Sequence, residues 1–224
     1  MAGPGRVQAT MSRRHFLMLV LVFTFALLGV WAGTRFLPAS TQGVELPVVR
    51  GATVLPHPRV LPPFALQQSD GTELTPEELT GHWTVVFLGF THCPDICPTT
   101  LGELAAAQKL WAALPDATRP RVLLVSADPE RDSPAHLGRY AHAFHPDTLA
   151  ATAPIPQLQE FVRSLSLVFA KVPGPSGAAD DYTIDHSAAL ILLDPQARMA
   201  GVIQPPYDVK TLAEDLAALT KAAR

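Results

Sequence analysis

Cysteine is the scarcest reactive residue of this 224-residue chain, which holds only Cys93 and Cys97. Two thiols are too few for an iron–sulfur cluster, which usually takes four, and they leave a four-ligand structural zinc site short of donors. No internal repeat is visible. Positive charge is also scarce outside the N-terminus. The first 35 residues hold Arg6, Arg13, Arg14 and Arg35 and no acid, which leaves 13 basic against 20 acidic residues, a formal charge of −7. An acidic domain without a basic patch repels phosphate backbones, so nucleic acid is excluded as a partner. The fifteen residues ahead of the first apolar run contain no amphipathic transit helix, which favours a bacterial over a mitochondrial setting.

Long apolar stretches are present once. Phe16 to Trp31 (FLMLVLVFTFALLGVW) carries no charge, and Thr24 is its one conventionally polar side chain. Sixteen helical residues cover about 24 Å, and Ala32 and Gly33 extend this to roughly 27 Å, close to a bilayer core. The arginine excess on the N-terminal side predicts that end in the cytoplasm and the remainder outside. Ser12-Arg13-Arg14-His15-Phe16-Leu17 also resembles a twin-arginine export signal, although so apolar a run suits an uncleaved anchor better. The expected organisation is a cytoplasmic segment 1–15, a single transmembrane helix 16–33, a proline-rich tether 34–59 and a soluble domain 60–224. That places the protein in a bacterial inner membrane with its domain in the periplasm.

From Phe64 onward, strands and helices alternate. Phe64–Gln68 and Thr72–Leu74, joined by Ser69-Asp70-Gly71, form a small hairpin. Thr75-Pro76-Glu77-Glu78 is a capping box that starts a short helical turn. Trp83–Phe90 is a fully buried strand, residues 97–113 a helix with Leu101, Leu104, Ala107 and Trp111 on one stripe, and Arg121–Ala127 a second buried strand. A helix starts at Ser133-Pro134 and runs to about Ala143, and another covers Gln157–Leu167. Strands follow at Val168–Val172, Ala188–Leu193 and Met199–Ile203. Asp208 caps a last helix that faces inward through Val209, Leu212, Leu216 and Leu219. The fold class is α/β, a thioredoxin-like fold with an N-terminal β-hairpin extension.

Cys93 and Cys97 lie in Thr91-His92-Cys93-Pro94-Asp95-Ile96-Cys97-Pro98, between a buried strand and a helix N-terminus. A helix start favours thiolate over thiol, and residues i and i+4 on one helical face would aim both sulfurs at a single point. Three chemistries are open to the pair. One is a structural disulfide, although so short a loop gains little chain entropy from closure. Another is dithiol redox catalysis, although C-x₂-C is the usual spacing and Tyr182-Thr183-Ile184-Asp185-His186-Ser187 lacks the proline that faces catalytic thiols in such folds. The last is metal binding, which needs a further donor on the facing loop. His186 stands there, just before the strand Ala188–Leu193, with Asp185 as a supporting acceptor or an extra oxygen ligand. Two sulfurs and an imidazole suit Cu(I), and Cu(II) if one more donor joins them. His57 falls in the tether, and His82, His136, His142 and His145 in loops or on exposed faces. His92 points away from Cys93 if strand geometry continues through Thr91.

Four ordered segments closely resemble the Sco/SenC (synthesis of cytochrome c oxidase) family. They are Gly89–Leu101 (GFTHCPDICPTTL), Ser126–Pro134 (SADPERDSP), Asp180–Ser187 (DDYTIDHS) and Leu192–Pro195 (LLDP). The resemblance runs from about residue 60 to the C-terminus. It implies a thioredoxin-like fold, copper held by Cys93, Cys97 and His186, and a metallochaperone that delivers copper to the CuA centre of cytochrome c oxidase subunit II. Some relatives are thought instead to reduce the thiols of that centre, making Cys93 and Cys97 a redox-active pair, or to act as copper or redox sensors. Two departures affect loops: Phe90 replaces a common tyrosine, and Gln196-Ala197 stands where a tight turn with glycine is usual. Residues 128–134 also read simply as a strand-to-helix turn capped by Ser133. Pro173–Asp181 is expected to be a mobile excursion that lets His186 close on copper or release it.

Overall fold

The computed structural model describes residues 13–36 and 47–222. The chain divides into two units, one ending at Val44 and one beginning at Glu45. In the first, α1 spans Arg13–Phe36 as 24 continuous helical residues. Its apolar side chains, Leu17, Phe23, Phe25 and Leu28 among them, are exposed, and the Thr24 hydroxyl donates back to the Leu21 carbonyl at 2.9 Å. Among the described residues, no helix meets the combined length and hydropathy of a membrane span. Residues before Arg13 and residues 37–46 of the expected tether lie outside the described residues.

In the second unit the buried apolar runs form the centre of one sheet. β1 is Thr53–Arg59, β2 Leu66–Gln68, β3 Glu73–Leu74, and a 3₁₀ turn follows at Pro76–Leu79. β4 (Thr84–Gly89), α2 (Ile96–Trp111), β5 (Arg121–Ser126), α3 (Pro134–Phe144), β6 (Thr148–Thr152) and α4 (Ile155–Ser164) alternate next. β7 (Phe169–Pro173), β8 (Tyr182–His186), β9 (Leu190–Leu193), β10 (Met199–Ile203) and α5 (Val209–Ala222) complete it. The eight-stranded order is β1-β10-β9-β4-β5-β6-β2-β3. β4, β5 and β6 are parallel, and β9 runs antiparallel to β4. A βαβ unit joined edge to edge with a ββα unit is the thioredoxin-like arrangement expected.

Every residue of β4 is buried, as a strand covered on both faces requires. α2 buries Leu101, Leu104, Ala107 and Trp111, and the Trp111 indole donates to the Ala213 carbonyl on α5 at 3.1 Å. Ser133 caps α3 through its hydroxyl, and Asp208 accepts from the Thr211 amide at 2.7 Å to cap α5.

Several expectations change. The edge strand β1 lies inside the stretch assigned to the tether, so the folded domain starts well before residue 60. Gly201 permits this, since a Cβ there would stand 3.0 Å from the Thr53 carbonyl. Thr75 makes no side-chain cap: the segment is a single 3₁₀ turn, and Glu78 instead accepts from the Gln68 amide group at 2.9 Å. α4 stops at Ser164 because Ser166 adopts φ +60 and the amide of Leu167 turns back to the Val162 carbonyl at 3.0 Å. Ala197 adopts φ +56 in the turn after β9, which explains why glycine is usual there.

Candidate metal centre

The cysteine loop leaves β4 at Gly89 and enters α2 at Ile96. A Cβ on Gly89 would lie 2.9 Å from the Phe87 ring and 3.2 Å from Cys97 Sγ, so glycine makes the room that the sulfur occupies. Cys97 is fully buried and Cys93 is 9% exposed, and both are free thiols. They do not stack on one helical face as expected. Cys93 precedes the helix, and its Sγ accepts the Cys97 amide at 3.3 Å, as a capping oxygen would. The helix start therefore gathers the two sulfurs by a cap rather than by helical periodicity.

His186 ends β8, which the sequence reading left unassigned. Its Nδ1 lies 3.1 Å from the Ser187 carbonyl. A carbonyl only accepts, so Nδ1 carries the proton and Nε2 keeps a free lone pair. That Nε2 stands 3.6 Å from Cys97 Sγ. The Phe87 and Phe90 rings meet the imidazole edge to face, at centroid distances of 6.2 and 5.9 Å. Burial pushes the imidazole below its ordinary range, against smaller opposing effects from the Ser187 carbonyl and Asp185. Burial likewise holds the Cys97 thiol well above its ordinary range, reinforced by its hydrogen bond with Cys93. Asp185 is exposed and does not take the ring N–H, so the role of supporting acceptor passes to the Ser187 backbone.

Donor chemistry and spacing fit a metal. With bonds of about 2.3 Å to sulfur and 2.0 Å to nitrogen, an angle near 120° separates the two donors by roughly 3.7 Å. The observed separation is 3.6 Å. Among the described residues, no three His, Cys, Asp or Glu side chains form a ready-made metal cage. What is gathered is the Cys97–His186 pair with Cys93 beside it; Cys93 and His186 line a cavity together with Pro94, Ile96 and Asp185, whereas the fully buried Cys97 does not. Larger cavities lie beside Phe64 and Phe161 and beside Arg119 and His145, and neither holds a cysteine. His92 is directed to Thr91 Oγ1 at 3.1 Å and stands 3.8 Å from Asp132.

A polar frame that leaves no local pattern in the sequence surrounds the centre. Asp132, fully buried, accepts from the Thr91 amide at 2.9 Å, from the Thr91 hydroxyl, and from the Ser126 hydroxyl at 2.6 Å. Asp128 accepts from the Tyr182 hydroxyl at 2.9 Å and pairs with Arg131. Ser133 caps α3 as the turn reading has it, but the same segment also braces the cysteine loop and the start of β8. Pro173–Asp181, the stretch expected as an excursion before His186, joins the two strands of the β7–β8 hairpin. There Asp181 accepts the Ser176 amide at 2.7 Å.

The profile of the SCO1/SenC family matches residues 53–221. The chain belongs to the SCO1/SenC family. Its relatives include a putative copper-binding protein of Stutzerimonas stutzeri, 36% identical over 161 residues, which are 71% of this chain and 76% of that one. The mitochondrial SCO1 and SCO2 proteins that it also matches are longer, and the chain spans about half of each, from 44% to 51%. Among solved structures, copper-bound ScoI of Arabidopsis thaliana superposes with a TM-score of 0.65 at 31% identity, over 74% of this chain and 98% of that one. BsSco, described as having a disulfide switch and as a member of the Sco family of cytochrome c oxidase assembly proteins, is 22% identical with a TM-score of 0.57. The match covers 73% of this chain and 95% of BsSco, and at that identity it bears on the fold alone. The SCO1/SenC domain of this chain is thus a thioredoxin-like domain with its two cysteines and His186 at one end of the sheet.

Proposed function

We propose that this chain is a copper-binding protein of oxidase assembly, holding Cu(I), Cu(II) or both through Cys93, Cys97 and His186. Its recipient is the CuA centre of cytochrome c oxidase subunit II. The contact between Cys97 Sγ and His186 Nε2 carries this reading, because it brings a soft sulfur and a free imidazole lone pair together from segments 89 residues apart. Each group has a defined part. The Ser187 carbonyl fixes the imidazole tautomer, the buried Cys97 releases its thiol proton to solvent as the metal takes its place, and Cys93, the less deeply buried of the two, faces the side from which copper arrives and leaves. Copper is the cargo, so a shallow site with few ligands serves release as well as capture.

The anchor and location belong to the same proposal. α1 sits in the bacterial inner membrane with Arg13 and Arg14 on the cytoplasmic side and the domain in the periplasm. Supporting this are the uncharged run Phe16–Trp31, the arginine bias and a helix that turns its apolar side chains outward. Domain-only protein should remain in the soluble fraction, whereas the full chain should resist carbonate extraction from membranes. Full-length protein found in the carbonate wash would overturn the anchor.

A thiol–disulfide oxidoreductase acting on the same subunit is the second reading, favoured by two unbridged cysteines held side by side at a helix start. Copper titration of the domain should bind one equivalent, with thiolate charge-transfer absorption for Cu(II); no binding sinks the first reading. His186→Ala separates the two. If it stops oxidase assembly while the dithiol still exchanges with disulfides, copper transfer is the function. If that variant supports assembly and only cysteine variants fail, the oxidoreductase reading stands.

A further inference from the structure

His186 is carried by a two-stranded sheet, β7–β8, that forms no ladder with the eight-stranded one. Among the described residues, and apart from the His186–Cys97 contact, the polar ties of this hairpin to the body of the domain converge on one short stretch. The Tyr182 hydroxyl donates to Asp128 at 2.9 Å, and the Arg131 guanidinium donates to the Tyr182 carbonyl at 3.1 Å. Lys171 pairs with Glu130 at 2.7 Å. The Tyr182 ring also takes the Arg131 guanidinium at 3.7 Å and the Lys171 ammonium at 3.8 Å from its centroid. Arg131 is itself paired with Asp128, a carboxylate 2% exposed.

Next in sequence, Asp132 accepts the amide and hydroxyl of Thr91 from the cysteine loop. One five-residue stretch, Asp128–Asp132, therefore touches both halves of the proposed metal centre. Tyr182 opens the strand that His186 closes, four residues or about 13 Å further on. A strand held at both ends has less freedom to swing than one held only near His186 and the buried Ile184.

We propose that Asp128, Arg131 and Tyr182 are positioning residues that latch the β7–β8 hairpin and so set His186 over the cysteines before metal arrives. The proposal rests on the copper reading above for its consequence, but the latch itself belongs to the metal-free protein. Without the latch the two sulfurs stay in place and the imidazole becomes a part-time donor. Capture of Cu(I), which two thiolates satisfy, then changes little, and capture of Cu(II), which needs the nitrogen, suffers.

The test uses Tyr182→Phe, which removes one hydroxyl, and Asp128→Asn, which removes the charge facing Arg131, each made in the full chain. In metal-free protein, amides of residues 169–186 should exchange about tenfold faster, the scale of losing one hydrogen bond to a charged group, with α2 unchanged. Cu(I) binding should stay at one equivalent, Cu(II) affinity should fall about tenfold, and the nitrogen hyperfine coupling in the Cu(II) EPR spectrum should weaken toward that of His186→Ala. Wild-type exchange in the hairpin of both variants overturns the latch. Faster exchange with unaltered Cu(II) affinity and spectrum overturns its role in placing His186. If the unsubstituted protein takes up no copper, the copper reading falls, and the exchange measurement still decides whether the latch exists.

Discussion

Cys97 Sγ and His186 Nε2 stand 3.6 Å apart, with the thiol driven up and the imidazole driven down in proton affinity by the same burial. At neutral pH the pair therefore holds one proton, on sulfur, and an incoming metal must displace it. Apparent copper affinity should rise with pH between about 6 and 8, by roughly tenfold per unit for each proton released. Because the imidazole titrates below its ordinary range, it competes for protons only at the acid end of that window. Competition titrations against a chelator of known pH behaviour measure the slope, and a flat profile contradicts the assignment.

Asp132 offers a stability test of the cysteine loop. Its buried carboxylate satisfies three donors, two from Thr91 and one from Ser126. Asp132→Ala should cost about 2–3 kcal/mol, because each donor left without its partner costs about 1 kcal/mol, and the fully buried Ser126 hydroxyl the most. Urea denaturation of the domain reads this directly, and a loss under 1 kcal/mol would show that water replaces the carboxylate without penalty.

His82 predicts the acid side of the stability curve. Burial lowers its proton affinity and Arg121 adds to the effect, against the Arg119 carbonyl, which lies 2.9 Å from Nδ1. The folded state thus binds a proton at His82 less readily than the unfolded state. Its contribution is complete above the unfolded value near 6.5 and is lost as pH falls through the lower folded value. His82→Gln should flatten the pH dependence of the denaturation midpoint between pH 7 and 5; an unchanged slope would assign it to other groups.

Ser166 holds φ +60 just past the end of α4 and is exposed. Ser166→Gly relieves a left-handed backbone cost of about 1–2 kcal/mol, offset by the greater freedom of glycine in the unfolded chain. It also loses an exposed contact with Arg59 at 3.1 Å. The net gain should be about 0.5 kcal/mol, visible as a rise of roughly 1–2 °C in Tm by calorimetry. A fall in Tm would mean that the Arg59 contact outweighs the backbone strain.

Legibility followed the physics of each segment. β4, β5, α2 and β10 were readable to within a residue or two because continuous apolar runs and a 3.6-residue stripe leave few alternatives. β1 was not, since Pro56 and Pro58 read as a linker, and pairing with β10 overrides that local signal. β6 (TLAAT) is short, with only Leu149 as a large apolar side chain, and β8 (YTIDH) is half exposed, so neither shows a strong period. The end of α4 was overrun by three residues because serine, not glycine, occupies its left-handed position. Cys93, Cys97 and His186 stood out by chemistry and placement. The Asp128–Tyr182 bond did not, because a partnership across 54 residues leaves no local pattern.

The two outermost strands of the large sheet have a consequence for association between copies. Open strand edges are where copies of a β-sheet protein zip together. Here one rim is β1, whose two prolines lack the N–H that a visiting strand would need. The opposite rim, β3, is two residues long, too short to template an addition. Copies of the domain are thus denied the backbone handholds from which ordered aggregates grow, and the end of the sheet that carries the cysteines and His186 plays no part in either rim.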